Sequence, residues 1–272
     1  IAADLLGLPE DMVARCRAAI SQKLGIPGQS ILFASTHTHA APAVIPLLGC
    51  GVVDPAYNRL VEERLTEAAE LAQASLKPGT LSYGVGELHI STNRRKLPVA
   101  NYPLHEQLDG NETDPLVSVL RAVHADGRTA AVLFHYACHP VCLRSDNFLI
   151  SADYPGEACA HVESAFGPQC TALFLNGACG NIIPRRFGGV PEMKLVGEAL
   201  GRRVLDIANA SEPLEAPRID SELRWIRLPY AQVPSREEWK RRIEELKPKL
   251  ENEEAELTEY AEYLHAAYWL QQ

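Results

Sequence analysis

Short apolar segments alternate with amphipathic segments along most of this 272-residue chain, and this alternation limits the possible folds more than any other feature. The strand candidates are short apolar runs, whereas the helix candidates carry apolar residues at a spacing of three to four. Chains of this kind fold as an α/β body whose chemistry is carried on loops at strand ends. We therefore expect a mixed β-sheet core with flanking helices.

Local signals place the individual elements. Gly25 is placed to stop the first helix. Asp54 and Pro55 open the next one, because Asp caps free amides and Pro tolerates the first turn. Asp126-Gly127 predicts a two-residue hairpin turn, since Gly accepts a positive φ. Residues 1–8 resemble the end of a buried strand. The patterns predict helices over residues 9–24, 54–76, 155–166 and 191–209, and strands over residues 30–34, 80–90, 116–124, 129–136 and 170–175.

Composition changes near residue 231, which divides the chain into an α/β core over residues 1–230 and a helical segment over residues 231–272. Charged residues dominate 236–255 and apolar ones recur at helical spacing over 256–270, which predicts a helical hairpin packed on the core by one face. The chain begins with Ile rather than Met and stops inside a helical pattern, so we expect a piece truncated at both ends. The compartment stays open, secreted or periplasmic included.

Charge and cysteine content narrow the functional classes. Net charge is −9, with 35 acidic residues against 26 Lys and Arg, and an acidic surface disfavours a broad nucleic-acid footprint. No apolar run approaches the length of a transmembrane segment. Seven cysteines match no disulfide framework and are expected to be buried, reduced thiols. Nothing in the sequence determines the oligomeric state.

Two histidine motifs follow apolar strand candidates. In the first, Thr36 to Pro42, His37 and His39 are separated by one residue, so both project to one side of an extended backbone. Neutral imidazole is the commonest zinc ligand, although two hydrogen-bonded surface histidines would also fit the pattern. In the second motif, His139 precedes Pro140 where a strand must end, and His135 is the rival ligand or a core histidine.

Two further polar groups lie in loops. The guanidinium of Arg94, in Asn93-Arg94, is permanently charged and suits anchoring a substrate oxygen, although loop arginines are often solvated. Asp153 could orient a metal-bound imidazole from behind or cap the helix that follows it.

Together these motifs resemble the neutral (non-lysosomal) ceramidase family. The resemblance covers roughly residues 29–186 through five motifs in the family's order, which is far more specific than any one motif. The five are Ala34 to Pro42, Asn93-Arg94, Asp114 to Leu120, His139 with Leu149 to Asp153, and Asn176 to Pro184.

The resemblance implies a ceramidase-like zinc hydrolase domain that cleaves an amide (N-acyl) bond with a metal-activated water. Ceramidases release a fatty acid and a sphingoid base, so it also implies a small-molecule or lipid-like acyl substrate. Carried over by position, His37 and His139 would bind Zn2+. His39 would act as a proton donor or oxyanion partner, and Arg94 would contact the substrate. The family's remaining ligands, a Glu and a Tyr, come from a later stretch of chain.

One position departs from the family pattern. Ile183 stands where the family carries a Ser that assists the reaction, and Ile has no hydrogen-bonding group. Cys179 and Asn181 are nearby polar candidates, although a structural turn explains both. Three interpretations follow: an amide hydrolase of the ceramidase type, a zinc hydrolase of the same scaffold that acts on a different ester or amide, and a non-catalytic domain that binds a metal or another ligand.

Overall fold

The protein is described here from a computed structural model, which divides it into two compact units, Ile1–Glu222 and Leu223–Gln272. The predicted domain boundary at residue 230 stays a prediction. The structure describes residues 1–47, 51–94, 112–144, 146–229 and 234–251, together with residues 262, 263, 266, 267 and 270.

Helices and strands both occur along the first unit, and the described part of the second unit contributes the last helix of the series. In chain order they are β1 (Ala2–Ala3), α1 (Glu10–Leu24), β2 (Ala34–Ser35), α2 (Pro55–Ala74), β3 (Gly79–Glu87), β4 (Ser91–Asn93), β5 (Leu116–His124), β6 (Thr129–Tyr136), α3 (Asp153–Phe166), β7 (Thr171–Asn176), β8 (Ile182–Pro184), α4 (Val190–Ala210), β9 (Glu212–Pro213) and α5 (Arg236–Glu251).

The main sheet has five strands in the order β7-β6-β5-β3-β9. β6 and β7 are parallel, whereas the other neighbouring pairs are antiparallel, so the predicted mixed sheet is confirmed. The last residues of the parallel pair, Tyr136 and Asn176, are directly opposite each other. The loops that follow these two strands therefore begin side by side at one edge of the sheet.

Helices α3 and α4 pack against each other and against the main sheet. Alternate residues of β5 and β6 point into this layer, because successive side chains of a strand face opposite sides. The core includes Val119 and Phe134 from the sheet and Val162 and Leu200 from the helices, each 0–1% exposed. Burial of this apolar surface stabilises the sheet, including the edge at which β6 and β7 end.

Two small sheets lie beside the main one. β1 and β2 are parallel and pair over only two residues, next to the apolar cluster that contains Met12 of α1 and Leu65 of α2. β4 and β8 are antiparallel, with Asn93 opposite Ile182. This second pairing carries Arg94 to the loop that follows β7.

Local capping signals predicted the helix ends correctly. The Asp54 side chain accepts a hydrogen bond from the Ala56 amide at 2.7 Å at the start of α2. Gly25 ends α1 in the left-handed conformation, with φ of 68°, which Gly adopts without strain. The 126–127 turn is longer than predicted: four residues separate β5 from β6, Gly127 has φ of 84°, and the register shifts between Ala122 and Val123.

Two predicted strands are shorter or broken. The 30–34 prediction becomes a 3-10 turn at Gly28–Ser30 and the two-residue β2, because β1 offers a ladder of only two residues. The 80–90 strand ends at Glu87, which lies opposite the first residue of β5, Leu116, so no partner continues the ladder.

The first helix of the predicted C-terminal hairpin corresponds to α5. Most of residues 256–270 lie outside the described residues, so the hairpin and its packing on the core stay predictions. No described helix is both long and apolar enough to cross a bilayer.

Candidate metal centre

His37 lies two residues beyond β2 and is held by the first segment of the chain. Its backbone amide donates to the Leu5 carbonyl at 3.0 Å, and its ring Nδ1 is 2.6 Å from the Leu6 carbonyl oxygen. The backbone has φ of 70° at His37. A non-glycine residue in this region carries strain of about 1–3 kcal/mol, and such residues cluster at functional sites.

His139 lies three residues beyond β6 and is 7% exposed. Its backbone amide donates to the Ile182 carbonyl at 2.9 Å, and its Nδ1 is 2.6 Å from the Cys179 carbonyl oxygen. Desolvation lowers the pKa of the ring, and the neighbouring His37 and Arg94 lower it as well. The imidazole is therefore neutral at neutral pH.

The two imidazoles meet with Nε2 atoms 3.1 Å apart and ring centroids 4.7 Å apart. A carbonyl oxygen only accepts hydrogen bonds, so each Nδ1 carries its ring's proton and each Nε2 of a neutral ring presents a lone pair. Two lone pairs at this separation repel unless a cation lies between them. Donation from the distal nitrogen to a carbonyl is also how proteins orient metal-bound histidines.

The geometry fits a zinc ion. Zinc–nitrogen bonds are about 2.0–2.1 Å long, so two nitrogens on one ion are at most about 4.2 Å apart. The separation of 3.1 Å between His37 and His139 satisfies that limit. Neutral imidazoles whose Nε2 atoms are free to bind a metal are the donors that zinc prefers.

His39 completes a group of three rings, with its centroid 5.2 Å from that of His37 and 5.3 Å from that of His139. Desolvation, followed by the neighbouring His139, His37 and Arg94, lowers its pKa to about 4. His39 is therefore neutral at neutral pH, and the residue is exposed to solvent. The predicted proximity of the two motif histidines is correct, but the extended backbone assumed for it is wrong at His37.

Arg94 reaches the same loop through the β4–β8 pairing. Its Nη2 donates to the Gly180 carbonyl at 2.9 Å, and its backbone amide donates to the Asn181 carbonyl at 2.8 Å. The guanidinium is exposed, and its charge lowers the pKa of His39 and His139. A permanent cation thus lies close to the rings of His39 and His139.

His135 lies apart from this group. Its Nε2 faces the backbone of Gly177, where an added Cβ would lie only 2.5 Å from it. Among the described residues, the cluster able to hold a metal consists of His37, His139 and Cys179. The rival ligand considered for the second motif is therefore not part of the site.

Cys179 belongs to this cluster, although the sequence suggested it only as a polar candidate of the loop or as a turn residue. Its ligand atom and those of His37 and His139 all lie within 4.8 Å of one another, and the residue is 9% exposed. Burial raises the pKa of its thiol, opposed by the Asn176 side chain and the Arg94 charge. The parallel pairing of β6 with β7 brings the residues after Tyr136 and Asn176 to one edge, and no local sequence pattern specifies that pairing.

Asn176 links the two histidine segments. Its side-chain amide donates to the Thr36 carbonyl at 2.9 Å, and its Oδ1 accepts from the Cys138 amide at 3.4 Å. Each of these partners is the residue immediately before a ring of the pair. The last residue of β7 therefore sets the spacing between the two segments.

The start of α3 holds the His139 segment from its other side. The Asp153 carboxylate accepts from the amides of Cys142, Leu143 and Tyr154, at 3.2, 2.9 and 2.7 Å. The Tyr154 hydroxyl donates to the Cys138 carbonyl at 2.6 Å. Asp153 supports the loop after His139 and makes no recorded hydrogen bond to the ring, whose Nδ1 is taken by Cys179.

Ile183 is 1% exposed and pairs with Thr92 across β4 and β8. A buried apolar side chain therefore occupies the position at which the resemblance expects a Ser. The six described cysteines, Cys16, Cys138, Cys142, Cys159, Cys170 and Cys179, form no disulfide.

Comparisons with known proteins point in one direction. The family model described as neutral/alkaline non-lysosomal ceramidase, N-terminal, matches residues 19–192. A neutral ceramidase of Pseudomonas aeruginosa is 28% identical over 229 residues, which are 77% of this chain and 33% of that protein. A neutral ceramidase of Mycobacterium tuberculosis is 29% identical over 172 residues, which are 57% of this chain and 27% of that protein.

Solved structures agree. The crystal structure of neutral ceramidase from Pseudomonas aeruginosa superposes with a TM-score of 0.64 at 26% identity, over 76% of this chain and 36% of that one. A structure described as ceramidase complexed with C2 gives a TM-score of 0.67 at 26% identity, over 76% of this chain and 35% of that one. The chain thus spans about a third of the length of the relatives it matches.

Proposed function

This chain belongs to the neutral/alkaline non-lysosomal ceramidase family, and on that premise we propose that it provides two zinc ligands of a hydrolase that cleaves an N-acyl amide bond. The observation that carries the proposal is the 3.1 Å separation of the Nε2 atoms of His37 and His139, each on a ring whose Nδ1 faces a backbone carbonyl. The relatives' names support a lipid-like acyl substrate. His37 and His139 are the proposed ligands, and zinc is the proposed ion.

The roles of the other residues follow from their charge and position. A zinc ion bound there supplies a Lewis acid and lowers the pKa of water. His39 holds a neutral ring next to the site, so it is able to accept a proton from the attacking water and pass that proton on to the leaving amine. The Arg94 guanidinium binds an acyl oxygen and stabilises negative charge that develops on it, where one donor contributes about 3 kcal/mol.

A second candidate is a hydrolase of the same scaffold that acts on a different ester or amide. The buried Ile183 favours it, because the hydroxyl that the resemblance expects there is absent. A hydrolase that lacks this hydroxyl needs a leaving group that departs with less assistance, and an ester meets that need more readily than an amide.

The test is the metal content and turnover of two variants of the full-length protein, His37→Ala and His139→Ala. Each should lose stoichiometric zinc and N-acyl hydrolysis together, because the remaining ligands cannot replace the lost imidazole donor. The matched control is His89→Ala, which removes an exposed imidazole next to Glu87. The control should retain both zinc and turnover.

Full zinc and turnover in either ligand variant would refute the proposal. A panel of N-acyl and O-acyl substrates separates the two candidates, since the first predicts amide cleavage and the second predicts ester cleavage or cleavage of a different amide. Stoichiometric zinc without turnover on any substrate would favour the non-catalytic binding domain.

A further inference from the structure

We propose that Phe148, Leu149 and Ile150, which together form the apolar turn, insert into the surface of a zwitterionic lipid bilayer and hold the metal site against it. The inference rests on the proposed function in one respect, namely that the substrate is lipid-like. It goes beyond that function because it assigns the surface through which the protein reaches a substrate that lies in a membrane.

The apolar turn presents three consecutive large apolar side chains to solvent. Phe148 is 95% exposed, Leu149 is 69% exposed and Ile150 is 78% exposed. Single exposed apolar residues are ordinary on protein surfaces, whereas a contiguous group of them marks a site of contact with a membrane or another protein. The apolar turn therefore has surface whose transfer from water into lipid is favourable.

Hydrogen bonds hold the apolar turn in this outward conformation. The Asn147 side-chain amide donates to the Leu149 carbonyl at 2.8 Å, and its Oδ1 accepts from the Leu149 backbone amide at 3.3 Å. Earlier in the same loop, the Leu143 amide donates to the Asp153 carboxylate at 2.9 Å. A turn whose shape is set in advance loses little conformational entropy when it enters a membrane.

The apolar turn adjoins the first histidine motif. Ser151, the residue that follows the turn, donates its backbone amide to the Ala40 carbonyl at 2.8 Å. Its carbonyl accepts from the Thr38 hydroxyl at 2.7 Å. Thr38 lies between His37, a proposed zinc ligand, and His39, the proposed proton carrier. Insertion of the turn therefore brings the metal site to the surface of the bilayer.

Charge selects the kind of surface that the apolar turn contacts. The chain has a net charge of −9, which an anionic membrane repels. A second copy of the chain carries the same charge, which opposes self-association. Arg144 and Asp146, shortly before the turn, are both exposed. One positive and one negative side chain complement the phosphate and the quaternary ammonium of a phosphatidylcholine headgroup.

The test measures binding of the full-length protein to phosphatidylcholine vesicles that contain no substrate. The wild-type protein should sediment with the vesicles equally well at low and high salt, because salt does not screen apolar burial. Phe148→Ser should weaken binding about tenfold, and the triple variant Phe148→Ser, Leu149→Ser, Ile150→Ser at least about 100-fold. Leu71→Ser is the matched control, because Leu71 is 64% exposed on α2, outside the turn. The control should bind as the wild type does.

Turnover on two N-acyl substrates gives a second readout. The triple variant should keep its kcat/KM on a water-soluble short-chain substrate, because the turn contacts the membrane rather than the reacting amide. It should lose at least about tenfold on a long-chain substrate embedded in the vesicles. An equal loss on both substrates would assign the turn to the binding of a single substrate molecule and would overturn the inference.

The remaining outcomes are equally specific. The inference is wrong if the wild-type protein stays in the supernatant or if the triple variant binds vesicles as tightly as the wild type. Self-association that the triple variant loses, without vesicle binding by the wild type, would make the turn a contact between copies of the chain and would also overturn the inference.

His37→Ala separates this inference from the proposed function. The variant should lose zinc and turnover but still bind vesicles as the wild type does, because insertion of the turn requires no metal. Vesicle binding by a wild-type protein that has neither zinc nor turnover would refute the proposed function and leave the role of the apolar turn intact.

Discussion

Asp153→Asn tests how the His139 segment is held. The carboxylate accepts three backbone hydrogen bonds, from the amides of Cys142, Leu143 and Tyr154. Asp153 has φ of 56°, in the left-handed region. Asn tolerates this region as well as Asp does. The substitution therefore changes the hydrogen-bonding group with little change in volume or backbone strain.

The magnitude follows from the geometry at the two oxygens. Oδ1 receives Cys142 and Tyr154, while Oδ2 receives only Leu143. With the Asn oxygen at Oδ1, the NH2 group points a donor at the Leu143 amide, and one charged hydrogen bond of about 1.5–3 kcal/mol is lost. The neutral amide also escapes the desolvation that raises the pKa of Asp153. We expect a net loss of about 2 kcal/mol.

The assay is thermal unfolding with zinc analysis. A loss of about 2 kcal/mol lowers Tm by about 4–8 °C in a protein of this size, and a loosened His139 should weaken zinc binding about tenfold. Asp54→Asn is the control, because Asn caps a helix as well as Asp and Tm should barely change. A Tm for Asp153→Asn within about 1 °C of wild type would refute the assigned role.

Two further pairs of substitutions probe the loop and the proposed catalytic groups. Gly177→Ala places a Cβ 2.5 Å from Nε2 of His135, so zinc content and Tm should fall. Gly180→Ala is the control: its Cβ meets nothing within 4 Å, so zinc content and Tm should be preserved. Equal zinc content and Tm in the two variants would contradict the steric argument. His39→Ala and Arg94→Met should each retain zinc and lower kcat about 100-fold or more, and an unchanged rate would exclude a catalytic role for that residue.

The parts of the fold predicted correctly are those with local causes. Asp54 caps α2 through an amide two residues away, and Gly25 ends α1 through its own φ. The strands that were shortened, at 30–34 and 80–90, depended on how far a distant partner extended. No pattern within those segments records the length of the partner strand.

The candidate site likewise has features that local sequence predicts and features that depend on distant contacts. The residues able to bind zinc or a substrate oxygen, His37, His39, His139 and Arg94, could be named in advance because they sit in recognisable motifs after strand candidates. Their separation could not, since His37 and His139 are 102 residues apart. The alternation argument for His37 also failed, because tertiary contacts hold its backbone in the left-handed region.

Residue type and local spacing establish which chemical groups are available: imidazoles, a guanidinium and small residues at the ends of strands. Which of these groups share a site depends on contacts between distant segments. Parallel pairing of β6 with β7 brings Cys179 beside His139, and the β4–β8 ladder brings Arg94 to the same loop. The two kinds of interaction differ in their separation along the sequence. Caps and turns act between residues a few positions apart, whereas strand ladders join distant segments, and no local pattern specifies which segments pair.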